Sequence, residues 1–272
     1  MLTIDLEDWF HSLSPAPENW NQFERRAGQS TALMMESLDR YDSKATFFVL
    51  GDVAKKHPRL IQQIHNAGHE VGTHGMEHRF VFSQQPREFR EDLRKSIDLL
   101  ESLTGAKVLS YRAPYFSVTN DSLWALDILR EEGVSYDSSI FPVHNSRYGI
   151  PAARRSPHEI RDGLFEWPIS TFPTPFGNLP FAGGVYFRFL AWRCVYGMLR
   201  RLQTQGEPIL FYLHPWELDP SQPRFRSSSK FLDARHYWRL GAARGKFEQI
   251  LKRISFTTLA QGIEELRGRG RI

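Results

Sequence analysis

The pattern of hydrophobic and polar positions alternates between two periods along this chain. Short, largely apolar runs at residues 2–6, 44–50 and 108–112, and an alternating run at 69–73, are typical of strands. Stretches with apolar residues at helical spacing, such as 30–41, separate these runs. The order of strand then helix recurs about seven times. Since buried strands joined by helices form parallel sheets, the pattern predicts an α/β domain whose sheet is open or closed into a barrel.

The second half of the chain has weaker signals. Prolines are frequent over 141–180 and predict loops around one short strand at 164–169. Further on, the pattern predicts a helix at 187–202, a buried strand at 208–213, a polar loop at 220–234, a helix at 237–254, a short strand at 256–257 and a helix at 259–266. Because no linker interrupts the sequence, we predict one domain over residues 1–272 with a C-terminal helical extension.

The composition argues against several classes of protein. Lys and Arg number 35 against 31 Asp and Glu, and a net charge of +4 is too small to indicate a nucleic-acid partner. Cys194 is the one cysteine, so no disulfide can form within the chain. Neither a secretory signal nor an apolar run of membrane-spanning length is recognisable. The expected location is therefore the cytoplasm.

Polar side chains of the kinds that carry out catalysis follow the predicted strands where these end. They are Asp5, Glu7 and Asp8 after the first strand, His74 and His78 after the third, Arg112 after the fourth, Asp137 after the fifth and His214 after the last. Each alone has an ordinary explanation as a turn residue, an ion-pair partner or a buried histidine. The carboxyl ends of parallel strands, however, lie at one rim of the sheet, where α/β proteins bind ligands. Five strand ends therefore favour a single site.

His74 and His78 are the candidates for metal binding. Neutral imidazole binds zinc-like ions well, and a spacing of four residues lets two rings meet at one centre if the backbone coils between them. Two ligands alone hold a metal weakly, and most isolated pairs with this spacing are polar loop residues. The acidic cluster at the end of the first strand is a source for a third ligand.

Four of these segments together resemble the motifs of the polysaccharide deacetylase family, also known as the NodB homology domain. They are Ile4-Asp5-Leu6-Glu7-Asp8, Thr73-His74-Gly75-Met76-Glu77-His78, Arg112-Ala113-Pro114-Tyr115 and Leu213-His214-Pro215, in the order and spacing of that family. The likeness runs from residue 2 to about residue 266. The start of the chain and Tyr136-Asp137-Ser138-Ser139 are more narrowly similar to a subgroup from bacterial exopolysaccharide gene clusters.

The resemblance implies a fold and an activity. The fold would be a distorted (β/α) barrel of about seven parallel strands, and the activity would be removal of N-acetyl groups from amino sugars. One divalent metal ion, with zinc as the expected species, would be held by one Asp and two His. The partner would be an N-acetylated glycan, either polymeric or linked to a lipid or nucleotide, in exopolysaccharide biosynthesis. Peripheral contact with the inner face of the membrane would suit such a substrate.

Carried over onto this sequence, the resemblance implies roles for individual residues. His74 and His78 would be the metal ligands, and Arg112 would orient the carboxylate that acts as the base. The backbone N–H of Tyr115 would help to stabilise the oxyanion. His214 would be the general acid that protonates the departing amine.

The resemblance leaves the acidic residues with alternative roles. Two adjacent acids in the common family pattern would make Glu7 the base and Asp8 the ligand, whereas an Asp-x-Asp pattern would make Asp5 the base and Glu7 the ligand. We favour Asp5 as base and Asp8 as ligand, with Glu7 among the catalytic residues, because those residue types match the family. This assignment requires the chain to turn after the first strand. The charge of the general acid would be tuned by Asp137 or Glu217.

Two other functions remain compatible with the sequence. Relatives of the implied fold open cyclic amides or imides, in some cases without the usual metal, and the altered first motif allows that reaction. A glycan-binding protein without catalysis is the other, although the intact histidines and arginine at the strand ends argue against it. The segment Gly183-Gly184-Val185-Tyr186 is expected to be a loop that approaches the site, and the aromatic residues expected beside the cleft are Trp9, Tyr115 and Trp216.

Overall fold

The computed structural model describes residues 1–14, 16–145, 148–227 and 229–271. Ten strands lie in this part of the chain, and eight of them form one curled sheet. The eight are β1 (Leu2–Leu6), β2 (Thr46–Val49), β3 (Glu70–Thr73), β4 (Ser110–Tyr111), β5 (Tyr136–Asp137), β6 (His158–Arg161), β7 (Leu164–Glu166) and β10 (Phe211–Leu213). The other two, β8 (Thr171–Thr174) and β9 (Gly177–Pro180), form a separate antiparallel hairpin.

The strand order across the large sheet is β10-β1-β2-β3-β4-β5-β7-β6. Seven of these strands run parallel, and the edge strand β6 is antiparallel to β7. Because β10 and β6 are edges that do not pair in the described residues, the sheet is a half-barrel. Its inner strands are buried on both faces, as parallel sheets require. The predicted barrel-like α/β fold with about seven parallel strands is confirmed.

Helices connect most of the strands and pack around the sheet. They are α1 (Ala27–Arg40), α2 (Gly51–Lys56), α3 (Pro58–Asn66), α4 (Pro86–Thr104), α5 (Trp124–Glu131), α6 (Gly184–Phe189), α7 (Trp192–Thr204), α8 (Lys230–Tyr237), α9 (Leu240–Leu251) and α10 (Leu259–Gly268). The proline at the start of α4 and the left-handed Gly105 after it are the end signals that the sequence provides. In the described part of the chain no helix has the length and apolarity to cross a membrane.

Three regions differ from the prediction. The region 141–180 contains β6, β8 and β9 in addition to the predicted strand. The sequence pattern did not predict these three strands because they are partly exposed or edge strands, whose polar and proline residues obscure the apolar pattern. The predicted loop at 220–234 gives way to α8, which begins at Lys230 with the side chain of Ser229 as its cap. Residues 256–257, predicted as a strand, belong to none of the strands.

A pair of carboxyl groups is buried between two neighbouring strands. Asp137 of β5 and Glu166 of β7 are register partners, and both are fully buried. Asp137 Oδ1 accepts the Ser139 hydroxyl, and Glu166 Oε1 accepts the N–H of Ile140, while the second oxygen of each carboxyl has no such donor. Burial and the neighbouring acid raise the pKa of Glu166 well above its usual range, and burial also raises the pKa of Asp137. A proton shared between the two groups would provide a partner for both unpaired oxygens.

Replacing Glu166 with Gln should stabilise the protein at alkaline pH. A carboxyl whose pKa is raised on folding keeps a proton that the unfolded chain releases above about pH 4.5, so stability falls as pH rises. In the Gln variant, an N–H of the side-chain amide takes the place of the shared proton at every pH. We expect the melting temperature of Glu166→Gln to exceed that of the wild type by about 2–4 °C at pH 8, or about 1 kcal/mol, with a smaller difference at pH 5. An equal or lower value at pH 8 would contradict the shared proton.

Candidate metal centre and active site

A cleft at the carboxyl ends of the strands contains most of the predicted site residues. Its walls include Asp5 and Glu7 after β1, His74 and His78 after β3, Tyr115 after β4 and His214 after β10. Arg112 is fully buried and in contact with Asp5. Four of the five predicted strand ends therefore converge on one site. The fifth, at Asp137, contributes instead to the buried pair with Glu166.

The acidic residues after β1 point in two directions. Asp5 and Glu7 both line the cleft, as expected for residues two apart on one side of a strand end. The chain turns there, because the N–H of Glu7 donates to the carbonyl oxygen of Asp5 at 3.1 Å. Asp8 is buried on the other side of this turn and does not line the cleft.

Asp8 anchors the start of α1. Its carboxylate accepts the backbone N–H groups of Trp9 at 3.0 Å, Arg26 at 3.0 Å and Ala27 at 3.1 Å. A carboxylate in this position satisfies N–H groups that have no acceptor within the helix and interacts favourably with the helix dipole. The geometry does not support our assignment of Asp8 as the metal ligand, because three competing donors hold its oxygens. It favours the alternative in which Glu7 is the ligand and Asp5 the base.

The loop after β3 coils tightly enough to bring its two histidines together. Gly75 has a φ of 75° and His78 a φ of 51°, so the chain reverses twice within five residues. A Cβ at Gly75 would lie 2.9 Å from Asp92 Oδ2, which makes glycine necessary for space as well as for conformation. The N–H of Met76 donates to the same carboxylate oxygen at 2.7 Å. As a result the rings of His74 and His78 have centroids 5.2 Å apart.

Glu7, His74 and His78 form a buried cluster that fits a metal ion. Their candidate ligand atoms all lie within 4.8 Å of one another. His74 Nδ1 donates to the carbonyl oxygen of Arg112 at 2.8 Å, which leaves Nε2 free to act as a ligand. Glu7 Oε2 has no hydrogen-bond donor of acceptable geometry, although His78 Nε2 lies 2.8 Å away. A buried carboxylate oxygen that lacks a donor, beside two imidazoles, suits a divalent cation.

The charge states of this cluster are those that a cation requires. Burial lowers the pKa of His74 to about 4, so this imidazole is neutral at physiological pH. Burial alone would raise the pKa of Glu7, but His78, His214 and His11 outweigh it and lower the pKa below its usual range. An ionised carboxylate and a neutral imidazole are the forms in which these side chains bind metals.

Arg112 fixes the orientation of Asp5. Its Nη1 donates to Asp5 Oδ1 at 2.7 Å and to Thr3 Oγ1 at 2.8 Å. Its Nε and Nη2 donate to the carbonyl and the hydroxyl of Ser138, at 3.0 Å and 2.7 Å. Because one oxygen of Asp5 is held in this way, the other is directed towards the cleft, where Oδ2 lies 3.9 Å from His214 Nε2.

His214 faces the acidic side chains from the end of β10. Its Nε2 lies 3.5 Å from Glu7 Oε1, and its Nδ1 donates to Glu217 Oε1 at 2.8 Å. Burial alone would lower the pKa of His214, but the hydrogen bond to Glu217 and the charges of Glu7 and Asp5 raise it to about 9. His214 therefore carries a proton at neutral pH and directs an N–H towards the cleft.

Arg188, which the sequence did not single out, completes the surroundings of His214. Its Nε donates to Glu217 Oε2 at 2.7 Å, and both side chains are buried. Burial alone would raise the pKa of Glu217, but Arg188 and His214 lower it. Of the two carboxylates predicted to tune the general acid, Glu217 is the one in contact with it.

Two glycines at the start of α6, Gly183 and Gly184, let Arg188 reach this position. A Cβ at Gly183 would lie 1.9 Å from the carbonyl oxygen of Tyr212, so only glycine allows the segment to pass so close to β10. Val185 and Arg188, which follow, line the cleft. The prediction that the segment 183–186 approaches the site is confirmed. The paired glycines of this segment were the feature of the sequence that could have pointed to Arg188 as a site residue.

Trp216 links the general acid to the acidic end of β1. Its Nε1 donates to Glu7 Oε1 at 3.1 Å. Its ring stacks on His214 with a centroid distance of 5.1 Å and on His236 with one of 4.2 Å. The predicted position of Trp216 beside the cleft is confirmed.

Of the other two aromatic residues predicted beside the cleft, Tyr115 lines it and Trp9 does not. Tyr115 has a φ of 58°, lines the cleft as predicted, and donates its hydroxyl to the carbonyl of His11 at 3.1 Å. The prediction for Trp9 is wrong, because its ring is buried in the core and its Nε1 donates to the carbonyl of Glu24 at 3.0 Å. Trp9 therefore packs the chain behind the site.

The site combines a place for a divalent cation, a carboxylate held by arginine and a protonated histidine on the facing wall. This combination suits hydrolysis of a bond whose leaving group must be protonated, such as an amide. Comparison with known proteins identifies the domains to which this architecture belongs. The polysaccharide deacetylase model matches residues 20–135, and a domain of unknown function (DUF3473) matches residues 138–264. The match identifies a polysaccharide deacetylase domain in residues 20–135, which are less than half of the chain.

Characterised relatives are similar over part of their length. A peptidoglycan-N-acetylglucosamine deacetylase of Bacillus cereus is 29% identical over 120 residues, which are 40% of this chain and 44% of that protein. The chain therefore spans less than half the length of this relative. The polysaccharide deacetylase model, over residues 20–135, includes the segment with the two histidines and not the end of the chain that supplies His214.

Solved structures share the fold over nearly the whole chain. A polysaccharide deacetylase structure from Mycobacterium smegmatis, described as putative by its authors, superposes with a TM-score of 0.67 at 21% identity, over 100% of this chain and 90% of that one. A pseudoenzyme of the CE4 family from Bacillus anthracis superposes with a TM-score of 0.51 at 16% identity, over 97% and 64%. Since the fold occurs in a pseudoenzyme as well, activity must be argued from the site residues.

Substitutions of the two adjacent acids should separate their roles. We expect Glu7→Gln to lose bound zinc, and Asp8→Asn to retain about one equivalent but to lose about 1–2 kcal/mol of stability, because it weakens the anchor of α1. Metal content after dialysis, measured by atomic emission, and urea unfolding give the two quantities. Loss of zinc from Asp8→Asn at unchanged stability would restore Asp8 as the ligand.

Proposed function

We propose that this protein is a metal-dependent deacetylase that hydrolyses N-acetyl groups on amino sugars of a bacterial glycan. The observation that carries the proposal is the juxtaposition of Glu7, His74 and His78 with Asp5 on one side and His214 on the other. The names of the relatives support an N-acetylated sugar as the substrate. The three ligand residues would hold one divalent ion, with zinc as the expected species.

The reaction needs a base and an acid that act at different atoms of the amide. When bound, the metal would polarise the amide carbonyl and lower the pKa of water in the site. Asp5 takes a proton from the water whose oxygen attacks the carbonyl carbon. Arg112 keeps this carboxylate in place through the contact at 2.7 Å. The backbone N–H of Tyr115 would contribute to the stabilisation of the oxyanion.

His214 completes the reaction from the facing wall. The carbon–nitrogen bond breaks, and the nitrogen receives the proton of His214 Nε2, so that the products are acetate and a free amino sugar. Glu217 stabilises the protonated imidazole through Nδ1, and Arg188 keeps Glu217 ionised and in place. The acid thus begins each turnover in the protonated form that the reaction consumes.

We further propose that residues 1–272 act as one functional domain. The region that matches the domain of unknown function supplies His214, Glu217 and Arg188, while the metal ligands come from residues before it. The similarity of the chain start to exopolysaccharide-cluster proteins supports a role in exopolysaccharide biosynthesis. A lipid-linked or nucleotide-linked sugar at the inner face of the membrane is the proposed form of the substrate.

Acetate release tests the proposed reaction. The purified protein, loaded with zinc, is incubated with N-acetylglucosamine oligomers and related N-acetylated glycans, and acetate is quantified enzymatically with and without a chelator. We expect release that the chelator abolishes and added zinc restores. Turnover of cyclic amides in place of glycans would support the alternative hydrolase. Glycan binding without any turnover would indicate a binding protein and overturn the proposal.

Glu217→Gln should slow the chemical step and leave metal binding intact. The amide side chain can still accept the N–H of His214, but it does not stabilise the protonated ring by charge. We expect kcat to fall about 10- to 100-fold, a part of the effect of a general acid. Glu207→Gln, at a carboxylate that pairs with Arg155 and does not line the cleft, is the matched control and should stay within twofold. An unchanged kcat in a folded Glu217→Gln variant would exclude the proposed role.

A further inference from the structure

Arg235 lines the cleft and has no acidic partner among the described residues. The other arginine that lines the cleft there, Arg188, is bound to Glu217, and Arg112 behind it is bound to Asp5. No described carboxylate lies within ion-pairing distance of Arg235, which is partly buried. A partly buried guanidinium without a counter-charge is unusual beside a site where the other arginines are paired.

Arg235 belongs to a helix that forms one wall of the cleft. Leu232, Arg235 and His236 of α8 line the cleft, and their spacing of three and four residues places them on one face of that helix. The His236 ring stacks on Trp216, which in turn stacks on His214. Arg235 therefore lines the same cleft as His214, from the helix whose His236 belongs to this stack of rings.

The position of this helix is fixed relative to the general acid. Arg188 donates to the carbonyl oxygens of His236 at 2.8 Å and Trp238 at 2.6 Å, at the end of α8, where carbonyls lack helical N–H partners. The same guanidinium holds Glu217, the partner of His214. Arg188 thus connects the wall that carries Arg235 to the group that would protonate the amine.

We propose that Arg235 binds an acidic group of the glycan, so that the site prefers an N-acetylated sugar that carries, or is next to, a carboxylate or a phosphate. This inference rests on the proposed deacetylase function. The planar fork of a guanidinium matches the paired oxygens of both anions, and partial burial strengthens the interaction. Arg235 and His214 line the same cleft from different elements, so an acidic substituent on the sugar and its N-acetyl group can be bound together. The apolar lining at Leu13 and Leu232 is available to the sugar ring.

Matched substrates that differ in charge test this preference. The substrates are neutral N-acetylglucosamine oligomers, oligosaccharides that alternate N-acetylglucosamine with glucuronic acid, and N-acetylglucosamine linked to a phosphate. We expect the wild type to have a higher kcat/KM on at least one acidic substrate than on the neutral one. Arg235→Gln should lower that value about 10- to 100-fold, mainly through KM, which is the range of one charge-assisted hydrogen bond. The two acidic substrates distinguish a carboxylate from a phosphate.

Two variants control for indirect effects. Arg235→Lys keeps the charge but loses the fork, so we expect it to retain part of the preference. Arg200→Gln removes an exposed arginine of α7 that does not line the cleft, and it should behave as the wild type on every substrate. Arg235→Gln should lose at least threefold less activity on the neutral oligomer than on the acidic substrate, because the neutral sugar has no group that needs the guanidinium.

A binding measurement keeps this test separate from the test of catalysis. Calorimetric titration of chelator-treated protein with the acidic oligosaccharides should show binding by the wild type that Arg235→Gln weakens at least tenfold. If no glycan is deacetylated, the proposed function fails, but this difference in binding would still support the Arg235 site. Equal binding by both proteins, no binding by the wild type, or an equal loss of activity on neutral and acidic substrates would overturn the inference.

Discussion

The buried contact between Arg112 and Asp5 depends on the curvature of the sheet and fixes the orientation of the proposed base. The two residues belong to the ends of β4 and β1, between which lie β2 and β3. In a flat sheet these strands would be about 14 Å apart, at about 4.8 Å per strand, which is too far for one side chain to bridge. The observed 2.7 Å contact therefore requires the sheet to curl. The guanidinium crosses its interior above the ring of Phe48, with 4.4 Å between Cζ and the centroid. Removal of one partner from such a pair typically costs about 3–5 kcal/mol, because the other charge stays buried alone.

Neighbouring charges, more than burial itself, decide what each buried acid can do. Glu217 and Glu166 are equally inaccessible to solvent. Arg188 and His214 lower the pKa of Glu217, whereas Asp137 helps to raise the pKa of Glu166. The first is therefore an anion that can stabilise a protonated histidine, and the second holds a proton and serves the packing of β5 against β7. Asp137 does not line the cleft and faces another buried acid, so it is unsuited to tuning His214.

The sequence was sufficient for the parts of the structure that depend on local pattern. Apolar runs of strand length gave the parallel sheet, and the polar residues at their ends gave the location of the cleft. The roles of Glu7 and Asp8 could not be separated in this way, because two of the three N–H groups that hold Asp8 belong to residues 18 and 19 positions further along the chain. Arg188 was missed for a similar reason, since its partner Glu217 is 29 positions away. The helix α8 lacks the clear apolar face that would have marked it, and its order depends on contacts at its ends.

The order of the strands explains why neither of the two matched regions can form this site alone. Residues 20–135 contain His74 and His78, and residues 138–264 contain His214 with its buried partners Glu217 and Arg188. Asp5 and Glu7 precede both regions, and they lie at the end of β1, which pairs with β2 on one side and with β10 on the other. The first strand is thus the shared element that brings the proposed ligand, base and acid together. The wall of the cleft that carries His214 and α8 lies in the second region. Substitutions in this wall can therefore alter which sugar would be accepted without disturbing the histidines that would hold the metal.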